Sequence, residues 1–148
     1  MMLRLRPAQV TDLPSIYRGE QDYIRCWEPQ HEAEWRLQFE RHLERWVENF
    51  DRLTVAVIND RFAGYSLWAS EQDCAELYTI NVSPSGRRHG IGRALLEAYR
   101  VAAAQSGFTR LTLSVHSENP ARFLYQQAGF SCIGVDDHQY LGYELISG

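Results

Sequence analysis

The sequence predicts an α+β domain: a mixed, mostly antiparallel sheet of six to seven strands, flanked by helices on both faces. Three observations predict it. Strand-like runs at 53–58, 62–70 and 75–82 follow one another with only short turns between them, which makes an antiparallel meander. A strand–helix–strand unit from 75 to 115 requires a parallel crossover. Two more strand patterns, "SCIGV" and "YLGYELI", close the chain. The element order is β-α-α-β-β-β-α-β-α-β-β.

Each element has a local reason. "LRLRP" (3–7) alternates apolar and basic residues, as a short first strand does. In "TDLPSIY", Thr11 or Asp12 can cap a helix whose first turn holds Pro14. After Pro29, Trp35, Phe39, His42 or Leu43, Trp46 and Phe50 recur every three to four residues. That spacing makes an amphipathic helix with a charged outer face, "ERHLERW" included. "NDR" between "LTVAVI" and "FAGYSLWAS" is a hairpin signal. The helix "IGRALLEAYRVAAAQSG" ends at Gly107. "RLTLSV" (110–115) is a strand. "NPARFLYQQAG" is a short helix with Asn119 as cap, Pro120 in first position and Gly129 as terminator.

Length and composition bound the function. The 148 residues suit a single domain, 1–148, and a hydrophobic fraction of 45% supports a core. A formal charge of −4 argues against nucleic acid as partner. No stretch reaches the roughly 18 apolar residues of a membrane span, so no membrane partner is expected. "MMLRLRPAQ" carries no apolar leader. Cys26, Cys74 and Cys132 lie far apart and fit neither a disulfide framework nor metal-ligand spacing. No metal is expected, and the expected compartment is the reducing cytoplasm.

The most informative stretch is "SPSGRRHGIGRALLEAY" (83–99). The first turn of a helix has backbone N–H groups without intrahelical partners and a partial positive charge. Gly90 and Gly92 let a phosphate approach that backbone, and Arg87, Arg88, His89 and Arg93 attract it. The stretch reads as a polyphosphate cradle. It is no Walker A loop, because Gly-Lys-Ser/Thr is missing. It is no dinucleotide fingerprint either, because the third glycine position is Leu95.

"NVSPSGRRHGIGRALLEAY" resembles the acetyl-CoA signature of the GCN5-related N-acetyltransferase (GNAT) superfamily. The core Arg/Gln-x-x-Gly-x-Gly/Ala is matched by Arg87, Gly90 and Gly92. "NPARFLYQQAGF" resembles the family's downstream helix with its tyrosine and Gly-Phe end. The resemblance implies the acyl-CoA N-acyltransferase fold, with acetyl-CoA as cosubstrate. It implies a cleft between the 75–82 and 110–115 strands, lined by Asn81, Val82 and Ser83. The backbone of His89, Gly90, Ile91, Gly92, Arg93 and Ala94 would hold the pyrophosphate. Tyr125 would be the acid that protonates the leaving thiolate, and Glu76 a base acting through water. A free N–H near Ile80, beside a bulge, would meet the developing oxyanion.

The resemblance also implies an asparagine contact at Asn119. The family's asparagine stands seven residues before the tyrosine, whereas Asn119 stands six before Tyr125 and Glu118 holds the usual place. Where some relatives carry a strand-five carboxylate, this chain has Ser114. Glu20, Asp22 and Glu28 lie in the region that forms the family's acceptor wall, and His116 is a further base candidate. Read from spacing alone, several of these residues have plainer roles. Tyr125 is an aromatic on a helix face, Glu76 a strand charge, Asn119 a helix cap before proline.

The expected activity is direct acetyl transfer to a primary amine on a small molecule, a peptide N-terminus or a lysine. The alternative is a non-catalytic acyl-CoA-binding module. An acetyltransferase-like toxin acting on charged tRNA is disfavoured by the negative charge. Many members of the family pair through their last strands, so a homodimer is allowed.

Overall fold

The computed structural model describes residues 2–87 and 89–146. Seven strands form one sheet in the order β1-β2-β3-β4-β5-β7-β6. They are β1 (Leu3–Pro7), β2 (Leu53–Ile58), β3 (Arg61–Glu71), β4 (Cys74–Val82), β5 (Arg110–His116), β6 (Ser131–Val135) and β7 (Tyr140–Ile146). The helices are α1 (Leu13–Trp27), α2 (Glu32–Leu37), α3 (Phe39–Glu48), α4 (Ile91–Gln105) and α5 (Ala121–Gln127). All pairings are antiparallel except β4 with β5. The expected α+β class and mixed sheet are therefore present.

Alternate residues of β2 face opposite layers. Val55 and Val57 pack with Ile16 of α1 and Trp46 of α3. Ala56 packs with Ile91 and Leu95 of α4. Helices thus cover both faces, as expected. A third cluster joins α4 to α5 through Leu96, Tyr99 and Tyr125 against β5 and β7. The β2–β3 turn places Asn59 and Asp60 at φ 51° and 66°, as a tight hairpin of primed type requires.

One element departs from the sequence expectation. The single amphipathic helix after Pro29 is two helices, broken at Gln38 (φ −100°, ψ 25°). The Trp35 carbonyl, freed at the break, accepts from the Gln38 N–H at 3.1 Å and lies 3.0 Å from His42 Nε2. The break lets Trp35 and Phe39 converge on Tyr17, at ring-centroid distances of 5.0 and 5.2 Å. Packing of these rings outweighs continuous helical hydrogen bonding. The α5 boundary differs by one position: Pro120 is the cap residue and the helix proper begins at Ala121.

Candidate active site

The site begins where two parallel strands part. β4 and β5 pair only at Ala75–Leu111, Glu76–Thr112 and Leu77–Leu113. Past Leu77, β4 has no partner on that side, so its edge groups face a gap. On its other side, Leu67 pairs with Thr79 but Trp68 with Leu77, so Tyr78 is the extra residue of a bulge. The bulge falls two positions before Ile80 and turns β4 away from β5. A cavity of about 360 Å³ opens there, walled by α1, α3, β4, β5, α5 and the start of β7.

At the far end of β4 lies the glycine turn. Gly90 is left-handed (φ 74°, ψ 16°), and a β-carbon there would meet nothing within 4 Å. Only glycine adopts that backbone freely, and the space above it is open. No side chain caps α4. Ala94 donates its N–H to Gly90 at 3.0 Å. The N–H groups of Ile91, Gly92 and Arg93 find no partner among the described residues. Such unpaired amides at the first turn of a helix, with its partial positive charge, suit an anion. Arg87, His89 and Arg93 are exposed there and make no ion pair among the described residues. Arg88, also expected at this turn, lies outside the described residues.

The turn is held rigidly from below. The Ile91 side chain is 1% exposed and anchors the helix start. Two glycines that sequence reading passed over make room for it. A β-carbon on Gly86 would lie 2.7 Å from Ile91 Cδ1, and one on Gly64 only 2.6 Å from the Asn81 carbonyl. Gly92 faces Leu124 of α5 and Val82 of β4, at 3.3 and 3.8 Å from a built β-carbon. The glycine therefore lets three elements meet at the cradle.

The β4 residues have defined tasks. The Asn81 side-chain amide donates to the Gly19 carbonyl of α1 at 3.1 Å. Val82 pairs with Gly64. Ser83 donates both its N–H (2.9 Å) and its hydroxyl (2.7 Å) to the Ala63 carbonyl. These bonds hold the end of β4 in place and leave its backbone for the gap.

Around the cavity, the structure brings together Glu20, Glu28, Glu76, Ser114, Asn119 and Tyr125. Asp22 is exposed and does not line it. Tyr125 is 4% exposed, its ring against Phe130 and Tyr143. Its hydroxyl has no hydrogen-bond partner among the described residues and borders the cavity. Burial and the nearby Tyr23 push its pKa well above the ordinary tyrosine value, so the proton is retained. Asn119 Oδ1 accepts from the Ala121 N–H at 2.9 Å, so that oxygen caps α5. His116 lies outside the cavity wall, stacked on Trp27 at 5.3 Å.

Glu20 accepts hydrogen bonds from the hydroxyls of Tyr65 (2.7 Å) and Thr79 (3.0 Å). Burial raises its pKa, against the pull of those two donors and of Arg45. Burial and the charge of Glu71 raise that of Glu76. Burial lowers that of His42 and keeps its ring neutral at pH 7. Two of the cavity's carboxyls, Glu20 and Glu76, thus feel one guanidinium, Arg45, which lies 4.7 Å over the Tyr78 ring. Among the cavity residues that escaped the sequence reading are Tyr23, Arg45, Thr79 and Tyr140. Tyr140 opens β7, and no spacing or motif marks it.

The fold and the gap define a class: a mixed sheet split beside a glycine-capped helix mouth. Residues 16–130 match the model of the Acetyltransferase (GNAT) family. The chain is 34% identical over 125 residues to the ribosomal protein bS18-alanine N-acetyltransferase of Escherichia coli K12. That match covers 83% of this chain and 77% of that protein. It is 32% identical over 98 residues to a mycothiol acetyltransferase of Clavibacter sepedonicus, covering 66% of this chain but only 32% of the relative. This chain spans about a third of that relative's length. The fold matches the coenzyme A complex of PaiA N-acetyltransferase from Thermoplasma acidophilum, with TM-score 0.76, 20% identity and 99% of both chains covered. It also matches an N-acetyltransferase from Staphylococcus aureus Mu50, with TM-score 0.76, 24% identity and 99% of both chains.

The chain belongs to the acetyltransferase (GNAT) family. No described helix is long and apolar enough to cross a membrane.

Proposed function

We propose that this protein transfers the acetyl group of acetyl-CoA directly to a primary amine. One observation carries the reading: at the far end of β4 the amides of Ile91, Gly92 and Arg93 find no partner among the described residues, and Tyr125, whose hydroxyl likewise finds none there, lines the cavity that the β4–β5 gap opens. The amides bind the diphosphate, and Arg87, Arg88, His89 and Arg93 add attraction. The edge of β4 at Asn81, Val82 and Ser83 pairs with the amide-rich arm, as an added strand would. Asn119 offers its side-chain nitrogen to the same molecule. Bound acetyl-CoA supplies an activated thioester carbonyl. A β4 N–H beside Ile80, past the bulge, stabilises negative charge growing on that oxygen. Tyr125 gives its proton to the departing sulfur. A carboxylate of the cavity wall takes the amine's proton; the sequence expectation names Glu76, and Glu20 and Glu28 stand in the same wall.

The acceptor wall has a chemical preference. Glu20, Glu28 and Glu76 outnumber Arg45, and Trp35, Trp46 and Tyr23 add aromatic faces. That lining favours an amine that arrives as a cation. The E. coli relative's name points to the α-amino group of alanine on a protein, so alanine-terminated peptides lead the acceptor list. The free thiols of Cys26, Cys74 and Cys132 support a reducing compartment, and we assign the reaction to the cytoplasm. The exposed edge strand β6, with Ile133 and Val135, is the surface assigned to a homodimer.

The test is free-thiol release from acetyl-CoA. The panel holds alanine-terminated peptides, lysine-bearing peptides and small primary amines. Turnover with at least one acceptor is expected. Tight acetyl-CoA binding with no thiol release across the panel would instead make the protein an acyl-CoA-binding module.

A further inference from the structure

Two tyrosines and a glutamate form a hydrogen-bonded line along the cavity. Tyr140 donates its hydroxyl hydrogen to Glu28 Oε2 at 2.7 Å. The Tyr23 and Tyr140 hydroxyl oxygens lie 3.3 Å apart. A tyrosine hydroxyl has one hydrogen. Since Tyr140 spends its hydrogen on Glu28, Tyr23 is the donor to Tyr140. The Tyr23 oxygen then keeps its lone pairs for a further donor, and Tyr23 lines the cavity.

The line is assembled from distant parts of the chain and clamped. Tyr23 comes from the last turns of α1, Glu28 from the residue that caps its C-terminus, and Tyr140 from the first residue of β7. His116 of β5 stacks on Trp27 at 5.3 Å and meets the Tyr140 ring edge-on at 5.5 Å. Tyr23 also stands close enough to Tyr125 to disfavour ionisation of that hydroxyl. Tyr23 and Tyr125 line the same cavity, so an amine at the Tyr23 end shares it with the residue that would protonate the sulfur.

We propose that Glu28 is the base of the reaction and that the acceptor's proton reaches it through Tyr23 and Tyr140. The inference rests on the acetyltransferase reading above. The step balances without any added reagent. The ammonium gives a proton to the Tyr23 oxygen, Tyr23 gives its own to Tyr140, and Tyr140 gives its own to Glu28. A cationic amine and a carboxylate become a neutral amine and a carboxylic acid, and both tyrosines end as they began. In this relay the amine gives its proton to Tyr23, and Tyr140 and Glu28 line the same cavity. Tyr140 and Glu28 act through Tyr23 and are relay residues. The charged and titratable groups facing the line are Glu20 and Cys26 of α1, His42 and Arg45 of α3, Glu76 of β4, His116 of β5 and Tyr125 of α5.

The experiment follows thiol release with the panel amine that the wild type turns over fastest, from pH 6 to pH 10, for Tyr140→Phe, Glu28→Gln and Glu76→Gln. At pH 7, Tyr140→Phe and Glu28→Gln should lose about 10²-fold in kcat/KM for the amine. As pH rises through the amine's own pKa the defect should shrink, because no base is needed: by pH 10 it should nearly vanish for an α-amino group, pKa about 8, and fall steeply for a lysine, pKa about 10.4. Affinity for acetyl-CoA should not change. Glu28→Asp should restore part of the loss. Should Tyr140→Phe fail to fold, Tyr23→Phe reads the same line. A defect equal at every pH, no defect, or a pH-dependent defect in Glu76→Gln alone overturns the relay while leaving the acetyltransferase standing. No turnover by the wild type with any amine removes both.

Discussion

Tyr65 donates its hydroxyl hydrogen to Glu20 across 2.7 Å, joining the middle of β3 to the middle of α1 at the floor of the cavity. The approach depends on Gly19. A β-carbon there would stand 2.7 Å from Tyr65 Cε1 and 2.8 Å from its hydroxyl oxygen. A glycine in mid-helix costs about 1 kcal/mol relative to alanine. Here it permits a half-buried glutamate to be held by a tyrosine that is 1% exposed.

Glu20→Gln should stabilise the fold and weaken amine binding. Burial raises the carboxyl pKa, so the folded state prefers the protonated form. That preference is complete below the unfolded pKa, about 4.3, and is lost as pH rises through the higher folded value. The amide oxygen of glutamine still accepts from Tyr65 and Thr79 but carries no charge. At pH 7 a rise in Tm is expected, about 2–4 °C for each kcal/mol gained in a domain of this size. KM for a cationic amine should rise as well. A scan and a saturation curve on the same variant check both.

Tyr125→Phe should keep acetyl-CoA affinity and lose about 10²-fold in kcat. The hydroxyl hydrogen-bonds no described residue, so its removal leaves packing intact. Calorimetric binding alongside thiol release separates the two quantities. Unchanged turnover takes Tyr125 out of the mechanism.

Gly90 and Gly92 should fail differently when replaced. Gly90→Ala meets no atom but forces a left-handed alanine, at a cost of about 1–2 kcal/mol. Its main effect should be a lower Tm. Gly92→Val pushes into Leu124 and Val82 and narrows the phosphate cradle, so acetyl-CoA binding should be lost. Equilibrium dialysis and thermal unfolding on both variants distinguish strain from crowding.

Asp12→Asn should destabilise by about 1–3 kcal/mol at pH 7. Arg6 grips the Asp12 carboxylate with bonds of 2.7 and 3.0 Å, and the Gln9 N–H adds a third at 2.7 Å. The Arg6 bonds hold its pKa below the ordinary value. The stability they supply is complete above the unfolded pKa of about 3.9 and is lost as pH falls through the lower folded value. Denaturant midpoints of wild type and variant should converge below about pH 4.

Sequence disclosed the local features and missed the distant ones. The Asn59–Asp60 turn and the glycine turn at Gly90 and Gly92 each depend on residues a few positions apart, and the crossover from β4 to β5 on elements that follow one another in the chain. The break at Gln38 is invisible in a helical period that continues straight through it. It follows from Tyr17, a residue of another helix, drawing in Trp35 and Phe39. The same holds within the site. The glycine turn could be read because its chemistry is its own backbone. Tyr23, Glu28 and Tyr140 could not be read as one line, because Tyr140 stands more than a hundred residues away and meets α1 only when β7 pairs beside β5.

The central claim is that the amides opening α4 hold the diphosphate of acetyl-CoA. Amide proton–nitrogen spectra of the labelled protein, recorded as acetyl-CoA is added, test it residue by residue. Ile91, Gly92 and Arg93 should show the largest shifts, and saturate together with binding. Saturation with those three resonances unmoved would contradict the account.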